Sequence, residues 1–137
     1  LAFNLPYRGI IVPMIDARRN RVYTGIYRWE DGDIISVVEP TIMEIEELLE
    51  LLKKDYEHII VNGNGATLYK NQIVNALGSK VELSPIGLND CRAASIAELS
   101  LLKWKEGQVD NYYSLVPEYL RESQAQRELK KKESGNH

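Results

Sequence analysis

Residues 9–40 read GIIVPMIDARRNRVYTGIYRWEDGDIISVVEP, and three strand-length apolar runs are legible in them. The first is Ile10-Ile11-Val12, continuing through Met14-Ile15. Pro13 interrupts it and favours an edge position or a bulge, because proline has no N–H to give a ladder. Arg18-Arg19-Asn20 reads as a turn, since asparagine tolerates unusual backbone angles. Beyond it Val22, Thr24, Ile26 and Arg28 fall on one face of a strand, and Tyr23, Gly25, Tyr27 and Trp29 on the other. Both faces carry bulk, so this strand is expected to be covered on two sides. Asp31-Gly32 is a two-residue hairpin signal. Residues 34–39 supply a third strand, which Pro40 is expected to end. Three strands with two tight connections make an antiparallel meander.

Residues 41–54 are predicted to be helical. Thr41 and Glu44 have the spacing of a capping box, in which each side chain satisfies an open N–H at a helix start. Ile42, Ile45, Leu48, Leu49 and Leu52 form one apolar stripe, and Lys53 and Lys54 sit at the end where the helix dipole favours cations. Residues 58–61 have strand length and lead into Asn62-Gly63-Asn64-Gly65. Helical spacing returns over 66–77 through Ala66, Tyr69, Ile73, Ala76 and Leu77, and Gly78 is a terminator. Residues 81–83 make a short strand, and Pro85 and Gly87 mark a loop. Asp90 is expected to cap a third helix reaching Glu106, with Ala94, Ala97, Leu101 and Trp104 inward. The order β-β-β-α-β-α-β-α implies an α/β fold, a mixed sheet with helices on both faces, whose last crossovers are parallel and right-handed. It is the order of the ribonuclease-H-like (actin-type, ASKHA) lobe found in actin, sugar kinases and Hsp70.

A chain of 137 residues, 44% hydrophobic and 27% charged, has the size and composition of one globular domain. No apolar run approaches the roughly 18–20 residues that span a bilayer, and the first residues do not read as a signal peptide. Position 1 is Leu and not Met, so the sequence is expected to be a piece of a longer chain. The single cysteine, Cys91, offers neither an internal disulfide nor a metal site; it is expected to be a small buried hydrophobe, and a reducing cytoplasm is its natural setting. A net charge of −3, from 17 basic and 20 acidic residues, speaks against a dedicated nucleic-acid binder. It leaves room for a local basic patch.

Hydrolytic chemistry finds no support. The only histidines are His58, entering a strand, and His137, at the terminus. Zinc sites need more ligands than these supply, and a serine nucleophile needs a nearby base. No catalytic residue, metal or cofactor is therefore expected. Asp16 ends the first strand, where a ribonuclease-H-type nuclease places a metal-binding carboxylate. Two-metal chemistry needs several convergent acids, Asp33 lies beyond a turn, and local side-chain-to-backbone bonding explains Asp16 more simply. Gly63-Asn64-Gly65 stands where related kinases contact adenosine, but glycine's permissive backbone accounts for a tight turn without a ligand. Arg18, Arg19 and Arg21, with Arg8 before them, form the most basic cluster, either a docking point for nucleic-acid phosphate or an acidic partner, or a solvated hairpin tip. Tyr112, Tyr113 and Tyr119 are expected to pin the end of the chain onto the core.

Two segments carry a family resemblance. Ile15-Asp16-Ala17-Arg18-Arg19-Asn20-Arg21-Val22-Tyr23 resembles the "DARR-x-x-VY" strand–turn–strand of the TsaB/YeaZ family, and Val116-Pro117-Glu118-Tyr119-Leu120-Arg121 resembles its "P-x-YLR" terminus. Between them Val61-Asn62-Gly63-Asn64-Gly65-Ala66 is similar to its "G-x-GA" strand-to-helix turn. The resemblance covers about residues 9–122 and the second half of the family only. The first-half segments "D-T-S" and "G-P-G-S-F-T-G-L-R" do not occur. Residues 1–8 then read as a leader from a truncated N-terminal lobe and 123–137 as a polar tail. The resemblance implies a non-catalytic, cytoplasmic scaffold lobe that works with a TsaD-type transferase and a TsaE-type ATPase in making tRNA threonylcarbamoyladenosine. It also implies tRNA contact only through that complex, no membrane partner, and self-association of the parent. Its motif residues Asp16, Arg18, Arg19, Arg21, Tyr23, Pro117, Tyr119 and Arg121 would serve interaction and not catalysis. The alternative is the ATP-binding lobe of a kinase-like enzyme of the same fold superfamily.

Overall fold

The order expected from the sequence is found, except that two helices and not one separate the fourth and fifth strands. A computed structural model describes residues 1–109, Asn111 and Tyr113. Strands β1 (Ile10–Asp16), β2 (Arg21–Glu30) and β3 (Asp33–Glu44) form the meander, then come helix α1 (Ile45–Asp55), β4 (Ile59–Asn62), α2 (Asn64–Leu68), α3 (Lys70–Leu77), β5 (Val81–Leu83) and α4 (Ala93–Lys105). The sheet runs β3-β2-β1-β4-β5. Its meander pairs are antiparallel, and β1–β4 and β4–β5 are parallel.

Alternation along β1 divides the core. Ile10, Val12 and Met14 join Val22 and Ile26 of β2 beneath Leu48 and Leu52 of α1 and Ile73 of α3. Ile11 faces the other way, toward Ile60, Ala2 and Leu5. Residues 1–8 are thus tied to the sheet: Trp29 Nε1 donates to the Leu5 carbonyl at 2.7 Å, and the Phe3 and Trp29 rings lie 5.3 Å apart. Lys80 Nζ donates to the Lys53 carbonyl and to Glu57 at the end of α1, where the dipole welcomes a cation.

Several local expectations are corrected. Pro40 does not end β3, and the Thr41/Glu44 capping box does not exist. Thr41, Ile42 and Met43 pair with Thr24, Tyr23 and Val22, and the helix begins only at Ile45. Pro40 is tolerated because β3 is an edge strand and the register shifts opposite Gly25. The N–H of Ile45 is satisfied by the Asn20 carbonyl at 2.9 Å, so no side-chain cap is required. Thr41→Val should therefore change stability by less than about 0.5 kcal/mol in urea denaturation, whereas loss of a capping hydroxyl would cost about 1 kcal/mol.

Pro13 lies in a central strand and not at an edge; the β1–β2 ladder pairs Ile11 with Tyr27 and then Met14 with Thr24, passing the residue that has no N–H. Residues 66–77 are not one helix. The backbone turns at Tyr69 (φ −97°, ψ 16°), which separates α2 from α3. Asp90 caps nothing: the residue before α4 is Arg92, and no side chain bonds to that end. The covered face of α4 is Ser95 and Leu99, not Ala94, Ala97, Leu101 and Trp104. Trp104 is 64% exposed. Polar tethering explains the rotation, since Ser95 Oγ donates to Asn4 Oδ1 at 2.7 Å and fixes which face meets the domain. Cys91 is exposed and not buried, because it precedes this loosely packed helix.

Candidate functional site

The C-terminal ends of the parallel strands β1, β4 and β5 bring most of the sequence-derived candidates together. Asp16 Oδ1 accepts the Arg18 N–H at 2.9 Å, which closes the turn into β2. Arg18, Arg19 and Asn20 all take positive φ, 62°, 55° and 56°, a run of left-handed backbone that costs each arginine roughly 1–2 kcal/mol. The Arg21 carbonyl accepts from Ala17 at 2.8 Å, and the Asn20 carbonyl accepts from α1. This hairpin tip therefore fixes where α1 begins.

Beyond the neighbouring strand β4, Asn64 Oδ1 accepts the Asp16 N–H at 3.0 Å, which joins the glycine turn to the end of β1. A Cβ on Gly63 would stand 2.2 Å from the Met14 carbonyl oxygen, and one on Gly65 would stand 3.0 Å from it. Both glycines are thus required by close approach to β1. One backbone donor at this turn is taken: the Gly63 N–H and Ser84 Oγ both donate to Asn89 Oδ1, at 3.0 and 2.7 Å. A crevice of about 160 Å³ beside it is lined by Thr67, Lys70, Ser84 and Asn89 among others. Asn89 thus takes up one backbone donor of the turn, the Gly63 N–H, and α2 has only five residues. The geometry favours the tight-turn reading of Gly63-Asn64-Gly65.

Tyr69 adds a titratable group. Burial pushes its phenol above the ordinary value of 10.0; the Asp16 carboxylate adds to the shift, as do the Glu46 charge and the hydrogen bond that Tyr69 donates to Asp16. The folded chain holds this proton more tightly than the unfolded one, so the stabilisation is complete below pH 10 and is lost as pH rises through the raised value. Denaturation midpoints should fall above pH 10, and Tyr69→Phe should flatten that fall; an unchanged slope would place the loss at Tyr7 or Tyr27, which burial also shifts upward.

Other candidates are not gathered here. Arg8 precedes β1 while Arg18 follows it, so seven strand residues, about 23 Å, separate them. The basic cluster is therefore Arg18, Arg19 and Arg21 alone. Asp33 is exposed beyond the Asp31-Gly32 hairpin. Tyr23 is half-buried on the sheet face away from α1. Tyr112, Pro117, Tyr119 and Arg121 lie outside the described residues, and Tyr113 is 79% exposed. Among the described residues no three His, Cys, Asp or Glu side chains group as metal ligands, and no helix is long and apolar enough to cross a membrane.

Three asparagines escaped the sequence reading. Asn62, wholly buried, donates through Nδ2 to the Leu1 and Leu88 carbonyls. Asn4 Nδ2 donates to Leu88 and Asp90 carbonyls, and Asn89 plugs the glycine turn. Their signal in sequence is that of ordinary loop residues, because their partners lie far along the chain.

No family model matches the chain. Over 120 residues it is 32% identical to the tRNA threonylcarbamoyladenosine biosynthesis protein TsaB of Bacillus subtilis (strain 168), an alignment that covers 88% of this chain and 51% of the relative. The chain is a TsaB/YeaZ relative. It spans about half the length of the TsaB it matches. YeaZ from Pseudomonas aeruginosa superposes with a TM-score of 0.62 at 19% identity, over 86% of this chain and 53% of that one. A Pseudomonas aeruginosa crystal structure described as an uncharacterized protein with similarity to peptidase YeaZ gives 0.61 at 19% identity, over 88% and 53%. At this identity the structural likenesses speak for the fold, which is the α/β ribonuclease-H-like lobe expected from the element order.

Proposed function

We propose that this chain is the C-terminal lobe of a TsaB-type protein and a non-catalytic, cytoplasmic scaffold in tRNA threonylcarbamoyladenosine synthesis. Its partners would be a TsaD-type transferase and a TsaE-type ATPase, with tRNA met only through that assembly. The carrying observation is the similarity to Bacillus subtilis TsaB across 88% of the chain. The local chemistry supports it: Asp16 and Asn64 are engaged in turn hydrogen bonds, and the Gly63 N–H is held by Asn89. On this reading residues 1–8 lead in from an upstream lobe, 9–122 form the lobe and 123–137 a polar tail. The exposed apolar residues Ile96, Leu101, Leu102 and Trp104 of α4 support contact with the upstream lobe or a partner, including self-association of the parent. No observation of comparable weight favours the kinase-like alternative.

The test is reconstituted modification by the full-length parent with its transferase and ATPase, read as modified nucleoside by mass spectrometry. Deleting this lobe should reduce product to background, while Asp16→Asn should leave turnover near its original rate. A loss of about hundredfold or more with Asp16→Asn, at unchanged assembly and melting, is the size of an acid–base contribution and would refute the non-catalytic reading. For the arginine tip, Arg18→Ala/Arg19→Ala should reduce the log–log salt slope of tRNA binding by about 0.9 for each duplex phosphate no longer neutralised. An unchanged slope removes the tRNA reading and leaves these arginines as a docking point for an acidic partner or a solvated turn.

A further inference from the structure

We propose that the apolar groove on the sheet face opposite α1 and α3 is the docking site of this same chain's residues 114–120, Ser114-Leu115-Val116-Pro117-Glu118-Tyr119-Leu120. The inference is independent of the functional reading above. The groove measures about 380 Å³, and Phe3, Ile15, Tyr23, Tyr27, Ile34 and Leu99 are among its walls, with no charged side chain in its lining. Its occupant must therefore be apolar, with at most a few hydrogen-bonding groups to meet the two tyrosine hydroxyls.

The path of the chain favours its own downstream segment. Leu99, midway along α4, is itself a wall of the groove. Past Lys105 the helix is closed by Gly107 at φ 75°, with Gly107 and Gln108 donating back to the Trp104 and Lys103 carbonyls. The six residues from Leu99 to Lys105 carry the chain only about 9 Å from the groove, and the seven from Gly107 to Ser114 can span about 23 Å extended. Return is within reach. The segment's chemistry matches the walls: Leu115, Val116, Tyr119 and Leu120 are apolar, Pro117 predisposes an extended backbone, and Glu118 is its only charge. The following Lys130-Lys131-Lys132 stretch has no such match.

The native Cys91 lies on the groove wall and supplies the probe. In the full chain Leu115→Cys, Val116→Cys and Tyr119→Cys are each oxidised mildly against Cys91, with Ser134→Cys as the comparison. At least one of the three is expected to form an intrachain disulfide in clear excess over Ser134→Cys, since bridging needs Cα atoms within about 7 Å. In the otherwise native chain, Leu115→Asp/Val116→Asp should speed Cys91 alkylation about tenfold or more by opening the groove. Bridging no better than Ser134→Cys, or an unchanged alkylation rate, overturns the proposal. Bridges found only between two chains overturn it too and assign the groove to a second copy.

Discussion

Gly63→Ala is expected to destabilise the chain by about 4 kcal/mol, enough to lower the melting temperature by more than about 10 °C. Two costs coincide at this position. Gly63 has φ 98°, a conformation L residues rarely adopt. Its missing Cβ would also lie 2.2 Å from the carbonyl oxygen of Met14. Met14 cannot retreat, because it is fully buried in the central strand and paired with Thr24. Two substitutions separate the costs. Gly32→Ala has comparable φ, 93°, but nothing within 4 Å of the added carbon, so only the backbone term of about 1–2 kcal/mol should appear. Gly65→Ala adds a 3.0 Å approach to the same carbonyl without the positive φ, and should fall between them. Thermal and urea denaturation of the three variants gives the order. Should Gly63→Ala melt no lower than Gly32→Ala, close approach to β1 is not what holds that position, and a ligand-binding reason for the glycine regains weight.

What the sequence disclosed was set by the range of the forces involved. Alternation at Val22, Thr24 and Ile26 and the turn at Asp31-Gly32 are local, and both elements formed as read; so did the lower stripe of α1 at Leu48, Leu49 and Leu52. The boundary before α1 was misplaced because Thr41 and Glu44 satisfy a local capping rule, while β2 offers Thr41–Glu44 a ladder and Asn20 offers Ile45 an acceptor. A tertiary partner overrode a sound local preference. The candidate site divides the same way. Asp16 as a turn former needs only Arg18 two residues on. Asn89 holding the Gly63 N–H is a contact across 26 residues between two asparagine-containing loops, and no periodicity announces it.

Leu52→Ala and Trp104→Ala should differ sharply, although the same spacing rule puts both residues on inner helix faces. Leu52 is fully buried against the β1–β2 face of the sheet, and its truncation should cost about 3 kcal/mol, the usual sum of forfeited transfer energy and residual cavity. Trp104, at 64% exposure, should change stability by no more than about 0.5 kcal/mol in this chain. The reason lies in the sequence of α4 itself. Ile96, Leu99, Leu101, Leu102 and Trp104 surround much of the helix, so apolar spacing alone does not choose a face. The choice falls to Ser95, whose hydroxyl reaches Asn4. Urea denaturation of the two variants decides the matter: a Trp104→Ala loss comparable to that of Leu52→Ala would mean that α4 turns its tryptophan inward in solution and that the Ser95–Asn4 bond does not set its rotation.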